Sequence, residues 1–520
     1  MTSTDAVLAP ERDGHARAAS TDDSVEWLID NAETYGRMLE SLRRARRSVH
    51  IAQLAFDADC AAYAGRSLTG SPSDDERIAE ILIHLANDRG VETRILLNAT
   101  WILDTARPLR KFFVNRGIKD DQIAVRGLSR FPHFMHAKLV LIDDREAFLL
   151  GSPFVNSYWD DGAHVPFDAR RPLRELGGRP LHDVSVHVRG PAVRDLESLF
   201  ARVWESAGSG RPVIAAARAI DVVTASRTRS AVRVIADAPD GILPNVPNGA
   251  HQMLAELLAG ISRARSFIYI EHQYLTCRPI VDAFAAALHR EPALEIIIVL
   301  NQNPDITAYR GWQNAQLRQH ALVAHPRVGV FTLWSTDADP ERAGVTRINQ
   351  LFIHSKVMVV DDEWAAVGTS NLDGVSMGDY GADFAGWLGR RVFRGVRNVE
   401  VNLVIDAADS RENQATIVTL RERLWTEHLG ASREELSARA DGGWLATWRE
   451  VARENARVLA SRSDHALSME GRVLPYSARA YPREQLADLG VHLDPARLAL
   501  SYNPTWFGVY LSPHWIRNIF

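Results

Sequence analysis

The sequence predicts an α/β fold made of two similar lobes, followed by a C-terminal extension. Three observations lead to this prediction. A nine-residue pattern occurs twice, short apolar strands alternate with helical stretches around each copy, and 520 residues are too many for one hydrophobic core. Strands that alternate with helices are typical of layered domains with a parallel or mixed sheet. We therefore expect two duplicated α-β-α sandwich lobes.

The repeated pattern places a histidine, a lysine and an aspartate at the same offsets inside an apolar run. Its members are His136, Lys138 and Asp143 in HAKLVLIDD and His354, Lys356 and Asp361 in HSKVMVVDD. Alternate side chains of a strand share one face, so each histidine projects beside its lysine. A lysine on an apolar strand requires an anionic partner or a polar cavity. A phosphate group would satisfy both side chains, and the chain holds only four lysines, two of them here.

Apolar strands recur in the same order before each copy of the pattern. The first set is 43–54, 92–98 and 122–128, and the second set is 262–275, 294–301 and 327–334. The middle strand ends in asparagine in both sets, and Arg-Ser pairs at 47–48 and 265–266 keep the same offset as the two motif histidines. Helical stretches such as 74–90 lie between the strands. Each half therefore has the pattern β-α-β-α-β.

The domain boundaries follow from where the repeat begins and ends. We expect a disordered tail at 1–22, lobe 1 at 23–207, a linker at 208–228, lobe 2 at 229–430 and a C-terminal extension at 431–520. The extension opens on a capping box of Ser432 and Glu435, which predicts helices. It ends in an aromatic cluster at 502–515, which either packs onto the lobes or lies at a membrane surface.

Composition and charge argue against several classes of protein. The net charge is −5, so the chain has no general attraction for nucleic acid or for an anionic membrane. Cys60 and Cys277 lie far apart, which predicts free buried thiols instead of a disulfide scaffold. The N-terminus lacks the pattern of a secretory signal, and no apolar run reaches the roughly 18 residues that span a bilayer. We expect a cytoplasmic protein whose membrane contact is only peripheral.

Both copies of the pattern match H-x-K-x-x-x-x-D, and the chain thereby resembles the phospholipase D superfamily. The half-motifs that follow, GSPFVN at 151–156 and GTSN at 368–371, match as well. FIYIEHQYL before the second motif and LRERLWTEHLG at 420–430 are similar to segments of eukaryotic-type phospholipases D. The segment 181–204 resembles the His-Asp strand and the following helix of that group. The resemblance covers roughly residues 25 to 430 and implies one site between two facing lobes.

The resemblance implies a two-histidine phosphodiesterase. His136 would attack phosphorus and form a phosphohistidine, while His354 would protonate the leaving oxygen and then activate water or an alcohol. The unperturbed imidazole pKa of about 6.5 suits both tasks. The two motif lysines, with Asn371 and Asn156, would bind the non-bridging oxygens. Because side chains supply this positive charge, no metal ion is needed, and we expect neither a metal nor a cofactor.

Carboxylates are expected to orient the histidines, as the third member of a catalytic triad does. By their positions in the family pattern, Asp183 would serve His136 and Glu400 would serve His354. The motif aspartates would brace their loops instead of touching substrate.

The half-motif of lobe 1 departs from that of lobe 2. It has one more residue between the motif aspartate and the following glycine, and its asparagine comes two residues later. Two options remain for the phosphate contact of lobe 1, either Asn156 or Ser152 in its place.

The substrate is the part of the prediction that the residues constrain least. The lobe 2 segments favour a glycerophospholipid whose phosphatidyl group is released to water or transferred to an alcohol acceptor. A metal-independent nuclease and a cardiolipin or phosphatidyl-alcohol synthase are alternatives that use the same site. Acidic residues outnumber Lys plus Arg, 65 to 60, so nucleic acid is not the expected partner. A non-catalytic scaffold is disfavoured because both motifs are complete, and the duplication lets one chain act as a monomer.

Overall fold

The computed structural model of the chain describes residues 23–63, 72–100, 103–172, 178–208, 232–244, 246–305, 307–379, 395–407, 410–437, 443–463, 465–478 and 481–501. The predicted tail, nearly all of the predicted linker and the aromatic cluster at 502–515 lie outside these described residues.

Lobe 1 is a mixed seven-stranded sheet with helices on both faces. The strands of the lobe are β1 (Ser24–Ile29), β2 (Ser48–Ala52), β3 (Glu92–Asn98), β4 (Ile123–Leu128), β5 (Phe134–Met135), β6 (Leu139–Ile142), β7 (Glu146–Leu149), β8 (Leu181–His182) and β9 (Val184–Arg189). All except β5 and β8 belong to the seven-stranded sheet. The helices of the lobe are α1 (Asp30–Leu42), α2 (Ile78–Arg89), α3 (Ala106–Asn115) and α4 (Ala192–Ser206). The sheet order is β1-β9-β7-β6-β2-β3-β4, with β2, β3 and β4 parallel to one another.

Lobe 2 is built on a larger sheet of the same kind. Its strands are β10 (Val232–Ala238), β11 (Ala250–His251), β12 (Phe267–His272), β13 (Glu295–Leu300), β14 (Val328–Ala338), β15 (Thr346–Gln350), β16 (Phe352–Ile353), β17 (Lys356–Val360), β18 (Trp364–Gly368) and β19 (Asn398–Asp406). Its helices are α5 (Met253–Arg263), α6 (Arg278–Arg290), α7 (Thr307–Gln319), α8 (Gly374–Met377) and α9 (Arg411–Leu429).

The two lobes repeat one topology. The order β10-β19-β18-β17-β12-β13-β14 in lobe 2 reproduces the complete sheet of lobe 1, and β12, β13 and β14 are again parallel. The predicted duplication and the mixed sheet are therefore confirmed. The Arg-Ser pairs, however, are not equivalent. Ile142 and Val360 are equivalent positions after the two motifs, and they face Val49 in lobe 1 and Ile268 in lobe 2. Equivalent residues of β2 and β12 are therefore one position further apart in the sequence than equivalent residues of the two motifs.

The helices form layers because each sheet is apolar on both faces. Between the two sheets lies one shared core, to which α4 and α9 contribute side chains such as Phe200 and Trp425. Helices α1, α2 and α3 cover the outer face of lobe 1, and α5, α6 and α7 cover the outer face of lobe 2. Burying each large apolar side chain contributes about 1.5–3 kcal/mol, so the shared core holds the lobes together.

Helix α9 illustrates how local sequence sets the bounds of an element. The Ser410 hydroxyl accepts a hydrogen bond from the N–H of Asn413 and caps the first turn, as serine does at this position. Gly430 ends the helix with a φ of 73°, a left-handed conformation that glycine adopts without a steric cost.

The C-terminal extension joins the sheet of lobe 2. It contains α10 (Trp444–Ala460), β20 (Val473–Pro475), α11 (Pro482–Asp488) and β21 (Leu498–Leu500). β20 pairs with β14, and β21 pairs with β15. The sequence predicts only the helices, because strands of three residues are too short to show an alternating pattern.

One short strand of each lobe pairs with a strand of the other lobe. β5 pairs with β19 of lobe 2, and β16 pairs with β8 of lobe 1, both in parallel. The motif histidines follow β5 and β16 directly, so the crossed strands place them at the lobe interface. Among the described residues, none of the helices has the length and apolar character that crossing a bilayer requires.

Candidate active site

Each motif histidine is positioned by the backbone of the opposite lobe. The N–H of His136 donates to the carbonyl of Val399 at 3.1 Å, and the N–H of His354 donates to the carbonyl of His182 at 2.8 Å. These bonds continue the β5–β19 and β16–β8 pairings by one residue. The next residues along β19 and beyond β8 are Glu400 and Asp183, so a carboxylate lies beside each ring.

The two histidine–carboxylate pairs therefore join the lobes. His136 Nδ1 lies 2.8 Å from Glu400 Oε2, and His354 Nδ1 lies 2.8 Å from Asp183 Oδ2. The predicted pairing, Asp183 with His136 and Glu400 with His354, is wrong. It assumed that each lobe serves its own histidine, whereas strand exchange brings the carboxylate from the other lobe. Both Nδ1 atoms contact carboxylates, so Nε2 is the nitrogen of each ring that remains for a ligand.

Glu400 is held as an ionised carboxylate by a set of donors. It accepts hydrogen bonds from the Thr369 hydroxyl at 2.6 Å, the Ser376 hydroxyl at 2.7 Å and the Asn398 amide at 3.1 Å. Burial opposes its ionisation, but the interaction with His136 outweighs this and keeps the pKa of Glu400 below its ordinary value. The sequence does not reveal these three donors, because they become neighbours only in the folded lobe.

Asp183 is held in a comparable way. Its carboxylate accepts hydrogen bonds from the Ser152 hydroxyl and, at 2.8 Å, from the N–H of Val184. Burial is the largest influence and opposes ionisation here too, but the interactions with His354, Lys356 and the Ser152 hydroxyl together keep the pKa of Asp183 below its ordinary value. A side chain at Gly151 would collide with this carboxylate, which explains the glycine. The option of Ser152 at the phosphate is wrong, because its single hydroxyl proton is donated to Asp183.

The two motif lysines are fully buried, and each donates to a backbone carbonyl. Lys138 Nζ donates to the carbonyl of His136 at 2.8 Å, and Lys356 Nζ donates to that of His354. Among the described residues, neither ammonium lies within salt-bridge distance of a carboxylate. Burial, followed by repulsion from Lys356, lowers the pKa of Lys138 to about 7, and burial lowers that of Lys356 to about 8. An anion placed beside them would stabilise both charges.

The histidines respond to the same charges. Burial first and Lys356 second lower the pKa of His354 to about 3, and burial also lowers the pKa of His136. Lys138 contributes to the lowering at His354, and Lys356 contributes at His136. These influences across the interface place the two rings and the two lysines in one electrostatic site.

Asn371 and Asn156 differ in whether their side chains have hydrogen-bond partners. Asn371 is buried, and its Oδ1, which is an acceptor, has no hydrogen-bond partner among the described residues. A phosphate oxygen would need the amide N–H groups of this side chain instead. Asn156 instead donates to the carbonyl of Asp59 at 3.3 Å and accepts from the N–H of Ala61 at 3.0 Å. The prediction of Asn156 at the phosphate is therefore wrong, since its side chain braces a loop of lobe 1.

The extra spacing in lobe 1 explains this difference. The N–H of Leu150 donates to the carbonyl of Lys138. Leu150 therefore lies opposite Lys138 in lobe 1, as Gly368 lies opposite Lys356 in lobe 2. Equivalent residues of the two lobes are therefore still separated by the same number of positions as the two motif histidines after these strands end. By this count Pro153 is the lobe 1 equivalent of Asn371. Lobe 1 has no amide side chain at that position.

The motif aspartates brace the first strand of each parallel set. Asp143 accepts backbone N–H bonds from 46, 47 and 48 at 2.7–3.0 Å, and Asp361 accepts them from 265, 266 and 267 at 2.6–2.9 Å. Both have a φ of 55°, which turns the chain tightly after the motif strand.

His272 and Gln53 are buried polar residues that no sequence pattern singled out. His272 faces Lys356 in the β12–β17 ladder, and its Nδ1 has no hydrogen-bond partner among the described residues. Burial is the main cause that lowers its pKa to about 3. Gln53 comes directly after Ala52, which pairs with Leu139 beside Lys138, and its amide is equally unpartnered within the described chain. Each lysine thus has one polar neighbour that a bound ligand could use.

Duplicated lobes with one H-x-K-x-x-x-x-D motif each define the phospholipase D class of folds. The family model described as "Cardiolipin synthase, PLD-like domain" matches residues 38–156 and 257–425, which together make up more than half of the chain. The chain therefore belongs to this family of the phospholipase D superfamily.

Similar curated proteins are cardiolipin synthases. The chain is 22% identical over 368 residues to that of Listeria monocytogenes serotype 4b (strain CLIP80459), covering 68% of this chain and 63% of the relative. It is 23% identical over 356 residues to that of Halalkalibacterium halodurans, covering 66% and 59%. It is 22% identical over 365 residues to the major cardiolipin synthase ClsA of Bacillus subtilis, covering 68% and 63%. The chain thus spans less than two thirds of the length of these relatives.

Among solved structures, the phosphatidylserine synthase of Haemophilus influenzae is similar, with a TM-score of 0.48 and 13% identity. The alignment covers 75% of this chain and 84% of that protein.

Proposed function

We propose that this chain transfers the phosphatidyl group of a glycerophospholipid to an alcohol through a covalent phosphohistidine. The observation that carries the proposal is the pair of histidine–carboxylate contacts across the lobe interface, next to two buried lysines that lack ion pairs within the described part of the chain. A single phosphodiester is the ligand that supplies a negative charge to both lysines and an electrophile to a neutral imidazole.

In the first step, Nε2 of His136 attacks phosphorus, and the bond between phosphorus and the head-group oxygen breaks. His354, as the imidazolium, donates its Nε2 proton to that oxygen, so the head group leaves as a neutral alcohol. The low pKa of His354 means that it takes up this proton together with the substrate, since the phosphodiester anion favours the charged ring. We assign attack to His136 because its side chain is 12% exposed, against 4% for His354.

In the second step, an acceptor alcohol loses its proton to Nε2 of His354 and attacks phosphorus. The phosphorus–nitrogen bond to His136 breaks, and the neutral imidazole is regenerated. Lys138, Lys356 and the Asn371 amide stabilise the charge on the non-bridging oxygens in both transition states. Water in place of the alcohol would give phosphatidic acid, the hydrolytic outcome.

We further propose that the acceptor alcohol is the glycerol head group of phosphatidylglycerol, so that the product is cardiolipin. The names of the curated relatives support this choice. A nuclease receives no comparable support, because acidic residues outnumber basic ones. Peripheral contact with a bilayer is sufficient for this reaction. Phe131, 43% exposed and shortly before His136 in the chain, is a candidate for that contact.

The test is product analysis by mass spectrometry after incubation with phosphatidylglycerol vesicles, with and without ethanol. We expect cardiolipin and glycerol without ethanol, and phosphatidylethanol when ethanol competes as the acceptor. His354→Ala is the matched inactive control, and single-stranded DNA is the control substrate. Cleaved DNA with unchanged lipid would contradict the proposal, and phosphatidic acid as the only lipid product would contradict transfer.

A further inference from the structure

A second cluster of histidines and carboxylates lies outside the site described above. Its inner members are Asp30, His164, His182 and Glu427, whose potential ligand atoms all lie within 4.8 Å of one another. Three of the four side chains are buried, and Glu427 is 15% exposed. They come from the start of α1, a loop of lobe 1, β8 and α9, so the cluster joins both lobes.

Two ring nitrogens face the same two carboxylates. His164 Nε2 lies 3.1 Å from Asp30 Oδ2 and 3.0 Å from Glu427 Oε1. His182 Nδ1 lies 3.2 Å from Asp30 Oδ1 and 2.9 Å from Glu427 Oε1, yet it makes no hydrogen bond of normal geometry with any described residue. A fully buried ring nitrogen is therefore directed between two carboxylates without a well-formed hydrogen bond, an arrangement that a cation bound between them would satisfy.

The opposite nitrogen of each ring is held by a further carboxylate. His164 Nδ1 lies 2.9 Å from Asp160, and His182 Nε2 lies 3.2 Å from Glu271. Asp160 is itself paired with Arg171. Histidines that bind a metal usually donate their other N–H to a carboxylate, which fixes the tautomer and raises the basicity of the ligating nitrogen. Both rings of this cluster have that outer contact.

The charges of the cluster require positive charge at the inner nitrogens, either as protons on the rings or as a cation between the rings and the inner carboxylates. If both outer nitrogens carry their protons, the inner nitrogens present lone pairs to two carboxylates at about 3 Å, which is repulsive. Either each inner nitrogen is also protonated, or one divalent cation takes the place of those two protons.

We propose that His164 Nε2, His182 Nδ1, Asp30 and Glu427 bind one Zn²⁺ ion. Two imidazole nitrogens and two carboxylate oxygens suit zinc, whereas Ca²⁺ and Mg²⁺ prefer oxygen ligands alone. Tetrahedral zinc with bonds of about 2.0–2.1 Å separates its ligand atoms by about 3.3–3.5 Å. The nitrogen–oxygen distances of 2.9–3.2 Å need to widen by only a few tenths of an ångström.

A cavity of about 410 Å³ provides a route for the ion, since Asp30 and Glu427 line it together with Gly162 and Arg433. The zinc would act as a positioning element and not on the phosphate. The N–H of Asp30 donates to the carbonyl of Asp183 at 2.8 Å, and the carbonyl of His182 accepts a hydrogen bond from the N–H of His354. Fixing these two residues fixes the histidine–carboxylate pair of His354.

The test is zinc content, measured by elemental analysis on the full chain without an affinity tag, after zinc loading and desalting. We expect about one zinc per chain, an absorption-edge spectrum with two imidazole ligands, and a higher midpoint of thermal unfolding with zinc than with chelator. Glu427→Gln should weaken zinc binding at least tenfold, and Asp160→Asn about 10–100-fold. Glu33→Gln is the matched control, because Glu33 lines the same cavity outside the cluster.

Glu427 is partly exposed and glutamine has its shape, so this variant is expected to fold. Circular dichroism of Glu427→Gln checks that expectation. Two outcomes would overturn the proposal. One is less than a tenth of a zinc per chain with an unfolding midpoint unaffected by zinc or chelator, which would mean that the two rings hold protons instead. The other is equal zinc retention in Glu427→Gln, in Asp160→Asn and in the unchanged protein.

Discussion

At the scale of single residues, the site is defined by two buried lysines that have no ion pair among the described residues. Lys138 and Lys356 are buried where their ordinary pKa values cannot be maintained, and burial lowers those values to about 7 and about 8. The neighbouring carboxylates are bonded to the histidines instead. Under the proposed function, the charge of the buried lysines would recognise a phosphodiester before the covalent step.

This predicts how ligand binding depends on pH. A dialkyl phosphate, which is a monoanion across this range, should bind progressively more weakly as pH rises through 7 and 8. Above those values the free enzyme has lost the lysine protons and must regain them on binding, which costs about tenfold in affinity per pH unit for each lysine. Isothermal titration calorimetry should record proton uptake.

Lys138→Met is the variant that separates the two lysines. It should bind the dialkyl phosphate more weakly at every pH, and its affinity should fall less steeply with pH near pH 7, whereas the step near pH 8 should remain. Affinity that is constant between pH 6.5 and 9 in the unchanged protein would contradict the role assigned to the lysines.

A second prediction concerns the crossed pairing of carboxylates and histidines. Glu400→Gln should remove the downfield Nδ1–H signal of His136 in a spectrum of ¹⁵N-histidine-labelled protein, and Asp183→Asn should remove that of His354. Each variant should lower kcat by about 10²–10⁴-fold, because the wrong tautomer is favoured. The opposite assignment of signals would restore the pairing within each lobe.

At the scale of elements, one buried asparagine in each lobe holds the segment before the motif by hydrogen bonds. Asn98 is the last residue of β3, Asn301 directly follows β13, and each is fully buried. Asn98 bonds the carbonyl of Leu54 and both backbone groups of Met135 at 2.8–3.0 Å. Asn301 does the same for the carbonyl of Gln273 and for Ile353, at 2.7–3.1 Å. The motif histidine is the next residue in both cases.

Asn301→Ala should therefore destabilise the fold by about 1–3 kcal/mol, because buried backbone groups of Ile353 and Gln273 lose their partner. It should also lower kcat, since His354 follows Ile353. Denaturant unfolding and steady-state kinetics measure the two effects. Asn115→Ala, on an exposed turn at the end of α3, is the control and should change the free energy of unfolding by less than about 0.5 kcal/mol. Equal effects of the two substitutions would contradict the locking role.

Some of these elements could be predicted from the sequence, and others could not. The duplicated motif, the order of the strands and the asparagine at the end of β3 and directly after β13 are all visible in the sequence, because they depend on local periodicity and on a repeat. The partners of His136 and His354 are not visible, because the short strands β5, β8 and β16 and their register across the interface arise only when the lobes dock. The role of Asn156 was mispredicted for a related reason, since sequence comparison aligned amides that the sheet register separates.

At the scale of the whole molecule, one chain supplies both halves of the site. The sheets share one apolar core, and the crossed strands tie the lobes together. His136→Ala and His354→Ala chains should therefore each be inactive, and mixing them should restore no activity. Recovery of activity in the mixture would mean that sites are shared between chains.

The central claim is a covalent phosphatidyl intermediate on one histidine of this two-lobed site. The most direct measurement uses a phosphatidyl ester of 4-nitrophenol, whose leaving group needs no proton from His354. His354→Asn and His136→Asn proteins are incubated with this ester and quenched without acid, and their peptides are analysed by mass spectrometry. We expect a phosphatidyl adduct on His136 in the first variant and no adduct in the second. An adduct only on His354, in the second variant, would reverse the roles of the two histidines. The absence of an adduct from both variants, with the unchanged enzyme active, would contradict the covalent mechanism.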